Sequence, residues 1–480
     1  MSRVQIAIVG GGITGLAAAH RVVELGREQG APFTIRLLEA KDRVGGNIRT
    51  ERVGEYLIDG GPDTLVAQKP AAARLAERIG LADEIYSLDG RHAGMEVVRR
   101  GRLVRVPAGF LMMAPRRIGP MLRSPLFSLR GKLRMLCEPW IAPRADGSED
   151  ESLASFVRRR FGQEVLDRVA EPVVAGLYTA RAEDLSLRLT VPRFLEMERK
   201  EGSVIRALRK AARRNGTGAA GRASFQALRG GLGRFVEELV RRLPEGSVLQ
   251  GIPVEAIRPD RASGAWKLLC GEGRALEADA VVLACPAPAS SRVLAEVDPD
   301  LAESVAELEY ASCATVTLAY PRGAIGAPLR SFGFFAPRAE RLPLLACSYV
   351  SLKFDGRGPA DTMVLRVFLG GAARPETLEG DDGRLVERAH ATLAGLLGIE
   401  GRPVLSRVHR FPGSMPQYRV GQARWIAGIR ARAERHPGLL FAGSVVGAMG
   451  LPDCIQSGED AAGAAVRFLA EQPERLRQAM

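Results

Sequence analysis

The 480-residue sequence is poor in the residue patterns that metal sites, disulfide frameworks and nucleic-acid surfaces need. Its six cysteines (Cys137, Cys270, Cys285, Cys313, Cys347, Cys454) include no CxxC pair, and its five histidines form no HExxH. The common metal motifs are therefore missing, no metal is expected, and reduced thiols are the expectation. Aromatics are 5%, and no run interleaves Lys or Arg with stacking rings, which argues against nucleic acid as a partner. No window reaches ~18 uninterrupted apolar residues, so no transmembrane helix is expected. The opening MSRVQIAIVGGG carries an apolar stretch too short for a signal peptide and runs directly into a glycine turn.

Hydrophobic residues make up 46% and charged residues 26%, the balance of a soluble globular protein. The length suits two or three domains. The excess of 68 Lys+Arg over 55 Asp+Glu, +13, suits anionic partners or an anionic membrane face. The 54 glycines point to places where backbone approaches backbone or phosphate.

The chain's two ends carry the chemistry. VQIAIV (4–9) reads as a buried parallel strand, followed by Gly10-Gly11-Gly12-Ile13-Thr14-Gly15 and a helical pattern ending at Gly26. Gly10 permits the turn, Gly12 lets a pyrophosphate approach, and Gly15 lets helix pack on strand. A second strand, FTIRLLEA, ends at Glu39, about where an acid would hold a ribose hydroxyl. The continuation AKDRVGGNIRT supplies Arg43, Gly45 and Gly46, an R-x-G-G element that favours FAD over a nicotinamide cofactor. Near the other end, a strand leads into Gly443 and Ser444, and Pro452 and Asp453 sit where a further helix starts. Its N-terminus would stabilise an anionic reduced flavin.

These ends resemble the amine-oxidase-like flavoproteins. Internal segments resemble the protoporphyrinogen oxidase family more specifically: IDGGPDT (58–64), GRLVRVP (101–107), EPVVAGLYTA with DLS (171–180, 184–186), FQALRGGLGRF (225–235), FGFFAP (332–337), LRVFLGGA (365–372), MPQY (415–418) and GLPDCIQSG (450–458). The resemblance implies an FAD enzyme that oxidises a porphyrinogen, with hydride passing to flavin N5 and reoxidation by oxygen giving hydrogen peroxide. Protoporphyrinogen IX is the first reading and coproporphyrinogen III the alternative. By position it implies cofactor contacts at Gly60, Gly61, Leu451 and the Val254 backbone. It also implies a substrate pocket at Val173, Gly176, Phe332, Gly333 and Phe335. No catalytic residue is assigned, because the flavin carries the chemistry. Two positions depart from the family pattern. Met95 stands where an arginine often meets a substrate propionate, with Arg91, Arg99 or Arg100 as candidate substitutes, and Phe335 stands where an aliphatic residue is common.

The expected architecture is α/β: a Rossmann-type FAD domain built from 1–90, 225–295 and 411–480, a mainly helical membrane-associated insert at 91–224, and an antiparallel-sheet substrate domain at 296–410. Within 108–145, Leu, Met, Phe and Trp140 mix with arginines and Lys132, with no acid before Glu138. Such a basic amphipathic composition lies readily in an anionic membrane interface. The family also docks on membranes here, so a cytoplasmic protein peripheral to the membrane is expected. RRNGTGAAGRAS (213–224) reads as a linker, SVLQGIPVEAIR as one strand, and 382–397 as a helix. His409 and Cys454 read as packed structural residues. A homodimer is left open. The alternatives are an amine oxidase, for which Tyr418 and Trp425 would have to form an aromatic cage, a carotenoid desaturase, and a catalytically silent FAD-binding membrane scaffold.

Overall fold

The computed structural model describes residues 4–30, 33–88, 90–144, 150–214, 225–260 and 262–471. The linker expected at 213–224 lies almost wholly outside the described residues. The chain enters through strand β1 (Gln5–Val9), helix α1 (Ile13–Glu28) and strand β2 (Thr34–Glu39). A hairpin of β3 (Glu96–Arg99) and β4 (Arg102–Arg105) follows, then a helical region that includes α2 (Glu171–Tyr178) and α3 (Pro192–Glu201). Next come β5 (Val248–Gln250), β6 (Val254–Pro259) and β7 (Ala280–Leu283). Strands β8 (Tyr310–Pro321), β9 (Gly333–Phe335), β10 (Ala346–Tyr349), β11 (Thr362–Gly370) and β12 (Leu405–Pro416) fill the middle, with helix α4 (Asp382–Leu397) before the last. Strand β13 (Leu439–Phe441) and helix α5 (Leu451–Ala470) come last.

The first sheet is parallel, in the order β5-β2-β1-β7-β13, so both chain ends meet in it. Both faces are covered, which is why β1 is apolar and buried from Ile6 to Val9. Ile6 and Ile8 pack towards α1 and α5, against Leu16, Ile455 and Val466. Ala7 and Val9 pack on the other face, against Ile257 and Leu283. Helices α1 and α5 touch backbone to backbone: a Cβ added at Gly458 would lie 2.2 Å from the Thr14 carbonyl oxygen. Helix α1 passes Gly26 and ends at Glu28, because a single glycine costs a helix interior only ~1 kcal/mol.

The second sheet has seven strands in the order β12-β8-β11-β10-β9-β3-β4. All its pairs are antiparallel except β9 with β3. Helix α4 covers it through Leu385, Ala389, Leu393 and Leu397, spaced one turn apart. Two expectations need correction. Residues 96–105 are not part of a helical insert but the edge hairpin of this sheet, and β12 carries it past 410 to Pro416. The stretch 247–258 is two strands, because Gly251 has φ +69° and turns the chain. Strand β5 then joins the parallel sheet and β6 joins a small antiparallel one. No helix of the described residues is long and apolar enough to cross a membrane.

Candidate functional site

The glycines of the first loop differ in what surrounds them. Gly10 has φ +110°, which favours glycine. A Cβ on Gly15 would lie 1.9 Å from the Gly10 carbonyl oxygen, so Gly15 is fixed by packing. A Cβ on Gly12 would meet nothing within 4 Å. Gly12 is also the N-cap of α1, with no side chain capping that helix end. The first-turn amides of α1 therefore lack the side-chain acceptor that such an end needs.

Glu39, at the end of β2, lies against this loop: Oε2 accepts from Gly11 N at 2.8 Å and Oε1 from Lys41 N at 3.0 Å. The chain at 251–254 runs beside it, with Ile252 N donating to the Glu39 carbonyl at 2.9 Å, and this brings Val254 to the same edge. Gly45 and Gly46 have φ +100° and +57°, and Gly45 N donates to the Gly11 carbonyl. Arg43 turns inward, donating to the carbonyls of Val44, Gly46 and Ile48. Its observed contacts shape this second glycine loop and do not reach outwards.

The C-terminal half mirrors this arrangement. Gly443 has φ +81° and donates its N–H to Ser457 Oγ. Ser444 is clamped by two tyrosines. Tyr310 Oη lies 2.7 Å from its Oγ, and Tyr418 Oη donates to its carbonyl at 2.7 Å. Helix α5 starts at Leu451 behind Gly450, again without a side-chain cap, and a Cβ on Gly450 would meet nothing. Asp453, in its first turn, pairs with Lys69 at 2.5 Å. Two helix N-termini without side-chain caps, each fronted by a glycine facing open space, fit a ligand with a diphosphate and an electron-rich ring.

Gly60 and Gly61 are required by packing. Added Cβ atoms would lie 2.4 Å from the His409 ring and 2.0 Å from the Asn47 carbonyl oxygen. Their carbonyls are held by Thr315 Oγ1 and by Arg366. Arg366 also pairs with Asp63, which Lys353 meets at 3.1 Å, while Arg357 pairs with Asp59 at 3.0 Å. Arg366 and Lys353 hold the Asp63 carboxyl down at about 2 against its burial. At Asp59 burial outweighs Arg357 and raises the pKa. This buried charge cluster behind the glycine loop was not read from the sequence. Burial pushes the Cys313 and Cys454 thiols up to about 11, so neither is a ready thiolate nucleophile.

On the putting together of the pocket residues the structure is selective. Val173 of α2, Phe335 of β9 and Met95 share one apolar cluster, and Gly176 of α2 lies against Phe335. A Cβ on Gly176 would lie 2.5 Å from the Phe335 ring. Phe332 belongs to a different cluster, with Tyr56 and Phe354. Gly333 has φ +143°, and a Cβ there would lie 2.1 Å from the Cys347 carbonyl oxygen, so its role in the strand pair is packing. Of the arginines proposed in place of Met95, one is drawn elsewhere and two lie in turns. Arg99 donates to the Pro125 carbonyl, Arg100 sits in the β3–β4 turn with φ +51°, and Arg91 is exposed in the turn Gly90–His92. Tyr418 is fully buried, and Trp425 Nε1 donates to the Ser304 carbonyl at 2.7 Å, so the two are engaged in packing, and among the described residues neither makes the ring contact a cage needs.

The family described as flavin containing amine oxidoreductase matches residues 13–466. The coproporphyrinogen III oxidase of Bacillus subtilis (strain 168) is 32% identical over 471 residues, covering 97% of this chain and 98% of its own. That of Propionibacterium freudenreichii is 33% identical over 493 residues, covering 96% and 90%. A solved structure from Exiguobacterium sp. 255-15, provisionally named a protoporphyrinogen oxidase, superimposes with a TM-score of 0.84 at 28% identity, covering 98% of this chain and all of that one. The chain belongs to the flavin-containing amine oxidoreductase family and is an oxidoreductase whose cofactor is FAD.

Proposed function

We propose that this flavoenzyme oxidises coproporphyrinogen III to coproporphyrin III. The observation that carries the reading is the end-to-end likeness to two enzymes named for that reaction, at 32% and 33% identity. Protoporphyrinogen IX, the first reading of the sequence, is the second reading here, supported by the name of the Exiguobacterium structure. The chemistry FAD would supply is a two-electron hydride acceptor at N5, needed three times per porphyrin because six hydrogens are lost as three hydrides and three protons, with one oxygen reduced to hydrogen peroxide each time. The chain's own residues would bind and orient. Gly12, the first-turn amides of α1, and the loops at Gly45–Gly46 and Gly60–Gly61 hold the dinucleotide. Glu39 holds the ribose. Ser444, Leu451 and the start of α5 face the flavin. Val173, Gly176, Phe335 and Met95 offer an apolar wall to the tetrapyrrole face.

The test is anaerobic mixing of the yellow protein with coproporphyrinogen III and, separately, protoporphyrinogen IX, following flavin bleaching and then porphyrin fluorescence on admitting oxygen. Faster bleaching by coproporphyrinogen III is expected. Faster bleaching by protoporphyrinogen IX would put the second reading first. Bleaching by neither, with dithionite still reducing the flavin, would overturn the porphyrinogen reading.

Membrane docking is part of the same proposal. Leu129 and Leu133 lie one turn apart on the helix Leu129–Leu136, and with Trp140 they are strongly exposed (78%, 62% and 78%) beside Arg130 and Lys132. Trp266 is buried and Trp425 is half-buried with its Nε1 held by the Ser304 carbonyl, so Trp140 dominates any change in exposed tryptophan emission. A blue shift is expected on vesicles of phosphatidylglycerol, smaller on neutral phosphatidylcholine and reduced by salt. Leu129→Asp with Leu133→Asp should weaken binding by roughly tenfold or more. Emission and sedimentation unchanged by anionic vesicles would refute the docking.

A further inference from the structure

A porphyrinogen carries carboxylates, and a carboxylate leaving water for a cleft needs a cation. The position that resembles a propionate site holds Met95, and Arg99 is drawn to a carbonyl. Several arginines elsewhere in the helical region meet acids. Arg159 meets Glu151 and Glu198, Arg160 meets Glu138, and Arg168 meets Glu164. Arg193, in the first turn of α3, differs from them. No carboxylate among the described residues forms an ion pair with it. Its guanidinium lies 5.2 Å over the Phe194 ring and 3.9 Å from Met112 Sδ. It is exposed to solvent, yet enough protein surrounds it that burial lowers its pKa, with Tyr178 as the one opposing group.

Its two contacts fix where this arginine stands, because Phe194 and Met112 pack in the cluster that holds Val173, Phe335, Met95 and Tyr178. Tyr178 is the last residue of α2, two positions beyond Gly176, and its half-buried phenol feels both Arg193 and Asp453 in the first turn of α5. The guanidinium thus stands at the solvent-exposed edge of the apolar cluster that carries the proposed tetrapyrrole wall. We infer that Arg193 is a substrate-carboxylate subsite, with Tyr178 Oη as a second donor, and that it favours a tetracarboxylate porphyrinogen over a dicarboxylate one. This rests on the porphyrinogen reading of the site. Four propionates give more orientations that place one at Arg193 while the ring lies against Val173 and Phe335.

The experiment uses FAD-loaded full-length protein, with coproporphyrin III and protoporphyrin IX as binding probes and the matching porphyrinogens in turnover. Arg193→Gln should weaken coproporphyrin III binding about tenfold, the low end for a charge-assisted hydrogen bond. KM for coproporphyrinogen III should rise similarly, with kcat changed less than about twofold. Arg193→Lys should recover most of the loss, and the loss for protoporphyrin IX should be smaller. Since Arg193 is exposed, flavin content and thermal midpoint should stay at the wild-type values. Wild-type turnover with Arg193→Gln binding and KM within twofold of wild type would overturn the subsite alone. A wild type that oxidises no porphyrinogen, but binds coproporphyrin III in an Arg193-dependent way, would overturn the reaction and uphold the subsite.

Discussion

Gly12→Val is expected to give a folded protein that purifies colourless. Gly12 has φ −70°, a conformation valine adopts, and a Cβ there meets no atom of the chain within 4 Å. The fold should therefore change in stability by no more than about 1 kcal/mol. The same branched side chain would occupy the space a diphosphate needs to reach the first-turn amides of α1. Gly15→Val and Gly458→Val make the contrast. Their side chains would press on backbone oxygens at 1.9 Å and 2.2 Å, where nothing flexible can yield, so these variants should fail to fold. The measurements are flavin absorbance per protein after gel filtration, with circular dichroism and thermal midpoint for the fold. A Gly12→Val protein with a full flavin spectrum would refute the assignment of the open space to the diphosphate.

That contrast marks what was legible in the sequence. The spacing of Gly10, Gly12, Gly15 and Glu39 is local, so the strand, turn, helix and second strand could be read in order, as could helix α4 from its one-turn apolar spacing. What escaped depends on residues far apart in the chain. The hairpin 96–105 joins the large sheet because β3 pairs with β9, more than 230 residues later. Asp63 stood inside a quoted motif, but its cations Lys353 and Arg366 lie 290 and 303 residues away. The R-x-G-G spacing located a glycine loop without saying that Arg43 would turn back onto its carbonyls. The break at Gly251 had a visible signal, Gly-Ile-Pro inside the stretch read as one strand. The pocket residues came from resemblance, and packing joins Met95, Val173 and Phe335, with Gly176 against Phe335, while sending Phe332 to another cluster.

Asp63→Asn should be the most destabilising isosteric change near the site. Asp63 is buried, and its carboxylate is the shared counter-ion of Lys353 and Arg366, whereas Asp59 is paired with Arg357. The amide keeps the shape and leaves two buried cations without their charge partner, an imbalance that costs about 3–5 kcal/mol. For a chain of this length that is roughly 3–5 °C in thermal midpoint, since unfolding entropy scales with residue number. The acid limb gives an independent reading. The folded carboxyl sits at about 2, below its ordinary 3.8, so it binds protons less readily folded than unfolded. Its contribution is complete above pH ~4 and is lost as the pH falls towards 2. The gap between wild type and Asp63→Asn should therefore narrow by about 2 kcal/mol across that window, Asp59 being common to both proteins. Arg366 also holds the carbonyls of Asp59 and Gly61, so flavin should leave the variant at lower temperature than it leaves wild type. Equal midpoints at neutral pH would mean that Asp63 does not anchor this loop through its charge.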